Sequence, residues 1–168
     1  MPLTSLRAAS ARWLTATDPA GLLYGAIVSA AVLSAVSAHG EDSTHVALAT
    51  AMVLVVYWMA HVYINTLSRQ FGGDRRHFMM RLRTASAHEL SVLKGGLPAI
   101  LVYVVTDASG ADIDTAATAA VYFSVVLLAA VGYLGAHQAG LRGRALLLEV
   151  AGAASFGLLI VAAKALLH

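Results

Sequence analysis

The sequence predicts an all-α, polytopic membrane helix bundle with five transmembrane helices, its N-terminus inside and its C-terminus outside. Composition, the length of the apolar stretches and the placement of the arginines carry that reading. The chain is 59% hydrophobic and 12% charged, with a mean hydropathy of +0.75, outside the range of soluble globular domains. Five apolar stretches, at 21–38, 44–67, 90–106, 115–136 and 145–167, approach the roughly 20 residues a helix needs to cross hydrocarbon. Lipid offers peptide groups no hydrogen-bond partner, so the stretches must be helical. Arg7 and Arg12 precede the first, Arg69, Arg75, Arg76, Arg81 and Arg83 separate the second from the third, and Arg142 and Arg144 separate the fourth from the fifth. The other two connections carry Glu41 and Asp42, then Asp107, Asp112 and Asp114, with no Lys or Arg. By the positive-inside rule the arginine-bearing connections are cytoplasmic, in an inner or plasma membrane.

The same features exclude several classes. A net charge of +2 and a pI near 9.2 do not imply nucleic acid, because the basic residues are spread over loops where anionic lipid headgroups supply a partner. The absence of cysteine removes disulfides, thiolate metal sites and thiol nucleophiles. His88-Glu89 begins a zincin-like pattern, but Val92 stands where the second histidine is required. No nucleophile elbow, phosphate loop or intramembrane aspartate pair occurs, so an enzyme is not expected.

Taken in order, residues 1–18 form an expected cytoplasmic interfacial segment, with Leu3, Leu6, Trp13 and Leu14 near helical spacing among the arginines. A single transmembrane domain then fills 19–168. Asp18-Pro19 reads as an N-cap followed by proline at the first helical position. In the first span Gly21, Gly25 and Ser29 recur every four residues, marking a face for close helix packing. The first apolar run starts too far from residue 1 for a cleaved signal peptide, so this span is expected to be retained. The connection at 68–89 contains Gly72-Gly73 and then a basic segment in which Phe78, Met79 and Leu82 share a side. It is expected to be an amphipathic helix anchored on headgroups through Arg75, Arg76, Arg81 and Arg83. Gly95-Gly96 and Pro98 are expected to loosen or kink the third span, while Lys164 is expected to snorkel to water at the outer end of the fifth. Trp58 at mid-span is expected to pack.

Ionisable groups at membrane depth are costly and so are candidates for function. His61 and Asn65 lie toward the inner end of the second span, His88, Glu89 and Lys94 in the first turns of the third, His137 at the end of the fourth and Glu149 near the start of the fifth. Tyr57, His61 and Asn65 share one helical face, and Met59 points nearly opposite, so Met59 and His61 do not serve one pocket from the same helix. Imidazole with carboxylate suits a divalent metal ion, for which Met59, His61, His88, Glu89 and Glu149 are the candidate ligands. The same groups suit proton relay, with Tyr57, Asn65, Lys94 and His137 along the path or in helix packing. Against either stands a solvated reading of His88, Glu89 and His137, with Glu149 paired to Arg142, Arg144 or Lys94.

Several stretches resemble the vacuolar iron transporter family. They are Leu23-Tyr24-Gly25, Met59-Ala60 with Leu67, and Gly132-Tyr133-Leu134-Gly135 through Leu141-Arg142-Gly143-Arg144 to Leu148-Glu149 and Gly152. That resemblance implies a five-span scaffold, a homodimer, and a methionine at position 59 on a metal path. The family's span-one aspartate is missing from Ala26-Ile27-Val28-Ser29, its span-two acidic position falls on Val55, and its glutamate-rich metal-binding region has no counterpart in the arginine-rich loop. The function expected is transport of a cation, a divalent metal or a proton, through a polar site in the cytoplasmic half. The alternative is a non-transporting subunit or regulator that packs partner helices and binds anionic lipid.

Overall fold

The computed structural model describes residues 18–40, 42–72 and 77–167. The expected interfacial segment up to residue 17, Arg75 and Arg76 lie outside the described residues.

Six helices form among the described residues: α1 (Pro19–Ser37), α2 (Ser43–Phe71), α3 (Phe78–His88), α4 (Leu90–Ala108), α5 (Ile113–Gln138) and α6 (Arg144–Leu167). Five helical runs are long and apolar enough to cross a membrane, α3 and α4 counting as one 31-residue run broken only at Glu89. The starts of α1, α2 and α5 are set by carboxylates. Asp18 accepts from the amides of Ala20 and Gly21, Asp42 from Thr44 and Asp112 from Thr115, each satisfying donors that a helix leaves open.

α1 is the axis of the bundle, packed against α2, α4, α5 and α6. Its contact with α4 is made by the glycines at four-residue spacing. A Cβ on Gly25 would run into the Val92 carbonyl oxygen, and one on Gly95 into that of Leu22, so each helix backbone rests in the gap left by the other's missing side chain. Close approach by small residues is the usual way to gain van der Waals contact in lipid, where no hydrophobic drive separates helix from solvent. Gly95-Gly96 is therefore a packing surface, and α4 continues helically past Pro98. At the opposite end Leu33, Val46, Ala99, Tyr103 and Ala117 close a core from four helices, and the Tyr103 hydroxyl donates to the Ser43 carbonyl at 3.3 Å.

Three expectations change in detail. α2 runs on through Phe71, absorbing the first residues of the 68–89 connection, because nothing breaks the helix before Gly72. The amphipathic helix forms as α3, but Arg81 is among its buried residues, with Ala85, while Phe78, Met79 and Met80 are exposed. Arg81 reaches the Gln70 side-chain oxygen on the extended α2 at 3.4 Å, so it holds helix to helix and is not lipid-facing; Arg83 is exposed. Lys164 does not snorkel. It is 8% exposed, pairs with Asp114 at 2.8 Å and donates to Thr118 at 2.9 Å, because the start of α5 presents those oxygens within its reach.

Candidate functional site

Polar side chains concentrate on the face of α2 that turns toward α1 and α4, near the arginine-bearing end. Tyr57, His61, Asn65 and Arg69 follow one another every four residues, about 6 Å apart along the axis. The His61 ring lies 4.5 Å from that of Tyr57 and 5.6 Å from that of Tyr24 on α1, centroid to centroid. Its Nδ1 is buried with no hydrogen-bond partner among the described residues. Leaving a buried polar atom unpaired costs about 1–3 kcal/mol. Leu54, Val92 and Ile100 form an apolar cluster that Tyr57 and Trp58 pack against, as expected for Trp58.

One turn further on, Asn65 joins a carboxyl group to a guanidinium. Its amide nitrogen donates to Glu89 Oε1 at 2.8 Å, and its oxygen accepts from Arg69 Nε at 2.9 Å. Glu89 occupies the break between α3 and α4 and is 4% exposed. His88 Nδ1 stands 3.5 Å from the same carboxylate oxygen. The sequence placed Asn65, His88 and Glu89 at similar depth; the fold joins Asn65 to Glu89 and adds Arg69.

The other candidates lie elsewhere. Met59 is 58% exposed, on the side of α2 away from His61. Lys94 is exposed on α4, and His137 is exposed with its ring 5.9 Å from that of Tyr133. Glu149 lines a cleft between α1, α5 and α6 that also includes Tyr24, and it makes no ion pair with Arg142, Arg144 or Lys94 among the described residues. Among those residues no three His, Asp or Glu side chains converge as a metal-binding group. Sequence reasoning missed Tyr24 as the neighbour of His61 and Arg69 as the partner of Asn65. The second was legible, since residues four apart on a helix meet; the first needed the packing of α1 on α2. In comparisons with family models, with curated proteins and with solved structures, nothing matches this chain.

Proposed function

We propose that the chain is an integral membrane transporter for a cation, that the cation is a proton, and that it passes along the file Tyr57, His61, Asn65 and Glu89. The observation that supports this most is the buried, unpartnered Nδ1 of His61. Imidazole carries one donor and one acceptor nitrogen and changes charge near neutral pH, which makes it the side chain best suited to taking up and releasing a proton. Asn65 and the buried Glu89 continue the file with hydrogen-bonding groups, and the arginine bias supports a cytoplasmic position for Glu89 in an inner or plasma membrane. A divalent metal needs several converging donors, whereas a proton needs one lone pair and a file, which is what His61 and its neighbours supply.

A second reading, a non-transporting subunit or regulator that packs partner helices and binds anionic lipid, draws on α6. Leu147, Leu148, Leu158 and Leu159 are exposed on that helix, and Gly152 would accept a Cβ without meeting any atom within 4 Å, leaving room for a partner helix.

Reconstitution into liposomes loaded with a pH-sensitive dye separates the two. The transporter acidifies or alkalinises the lumen under an imposed potential, and His61→Ala stops it while Glu89→Gln slows it. Unchanged flux in His61→Ala removes the file from the path. A wild-type protein that moves neither protons nor metal ions is the subunit.

A further inference from the structure

The cleft holding Glu149 has a chemistry of its own. Its volume is about 480 Å³, within the roughly 300–1,000 Å³ of sites that enclose small organic ligands. Tyr24 and Ile27 of α1, Leu128 of α5, and Glu149, Gly152 and Phe156 of α6 line it. The walls are apolar apart from one carboxylate and one phenol. Glu149 is exposed at the mouth of the cleft, about 7.5 Å along the axis from Arg144 at the start of α6, and among the described residues it has neither hydrogen bond nor ion pair. A carboxylate bordered by apolar walls offers a positive ligand the one acidic anchor in the cleft.

We propose that this cleft binds a lipophilic organic cation, an ammonium or phosphonium carrying aromatic or alkyl groups, with Glu149 as its counter-ion. Three features select that class. The single carboxylate supplies one negative charge, which matches a monovalent cation and falls short of the several oxygen or nitrogen ligands a metal ion takes. Tyr24 and Phe156 line the cleft, and aromatic rings attract a cation, more so when water is absent. The remaining wall is apolar and stands among helices that face lipid, so the ligand's body gains the contacts that a hydrated inorganic ion lacks. A lipid acyl chain fills the same volume but leaves the carboxylate uncompensated. The site shares no residue with the proton file, although Tyr24 of its wall also neighbours His61.

The test is equilibrium binding of tritiated tetraphenylphosphonium to the purified protein in the uncharged detergent dodecyl maltoside. Saturable binding is expected, with affinity lowered roughly tenfold or more in Glu149→Gln. The shape-matched anion tetraphenylborate does not compete. Gly152→Leu fills the cleft and abolishes binding; because a Cβ at Gly152 meets nothing within 4 Å, this variant retains the wild-type elution profile and melting temperature. Absence of saturable binding, wild-type affinity in Glu149→Gln, or equal competition by tetraphenylborate overturns the assignment. None of these outcomes bears on proton flux through His61, so the two readings fail separately.

Discussion

The first and last helices have nearly the same mean hydropathy over their most apolar windows, 1.8 for α1 and 2.1 for α6, yet half of the α1 window is buried and only 6% of the α6 window. In water such a difference would follow hydrophobicity. In lipid both leucine and hydrocarbon are equally good neighbours, so burial follows size: the helix that offers small side chains is the one others approach. α1 buries Gly21, Gly25, Ala26, Ser29 and Ala30, while α6 presents leucines outward and touches the bundle through residues such as Gly157, Ile160 and Lys164. The sheltered helix lends Tyr24 to the surroundings of His61, and together with the peripheral helix it walls the cleft that holds Glu149.

Paired glycine substitutions are the strongest way to break that contrast. Gly25→Ala drives a methyl group into the Val92 backbone, and because backbone cannot rotate away as a side chain can, a loss of about 3 kcal/mol is expected. Gly152→Ala on α6 meets no atom within 4 Å and is expected to be neutral or to stabilise by up to about 1 kcal/mol through helix propensity. Thermal unfolding in detergent reads both, and equal melting temperatures for the two variants would show that α1 and α6 are packed alike.

A smaller effect tests how α6 is held. Lys164→Met removes the ion pair to Asp114 and the hydrogen bond to Thr118. The Asp114 side chain is 57% exposed, so solvent screening limits the loss to about 1 kcal/mol. Hydrogen exchange is expected to quicken in the last turns of α6 and the first turn of α5, with α1 unaffected. Exchange spreading through α1 would mean that the peripheral helix supports the axis.

The smallest effect lies at the aspartate-bearing surface. The Thr115 hydroxyl donates to the Asp112 carboxylate at 2.6 Å and the Thr115 amide donates at 3.0 Å, and these two bonds, the hydroxyl first, hold its pKa below the ordinary value. A carboxyl depressed in the folded state contributes stability above its unfolded pKa and loses it as pH falls through the lowered folded value. Protection of the Thr115 amide is therefore expected to persist at neutral and mildly acidic pH and to fade only in stronger acid. Fading already in the ordinary carboxylate range would show that the cap adds nothing to α5.

How much of the site was legible depended on the distance between its parts. Tyr57, His61 and Asn65 fall on one face by counting along α2, and Asn65 meets Arg69 by the same count. Glu89 looked like a helix-end residue open to water, because nothing local reveals that Asn65, 24 positions earlier, closes over it. Lys164 looked like a snorkelling lysine for the same reason, its partner Asp114 lying 50 positions away in sequence.

The sequence by itself determined the five apolar helices, the Asp18 cap that starts the first of them and the small-residue face on α1; that this face meets α4 came from the fold. Hydrogen bonding in lipid forces helices, and their limits and small-residue periodicity are written locally. Only the tertiary structure decided which helix became the axis, that His61 lies between Tyr24 and Tyr57, and that Glu149 stands in a cleft apart from it. Those facts depend on how helices rotate and cross, and in a uniformly apolar surround that is set by side-chain shape across the bundle, not by hydropathy along the chain.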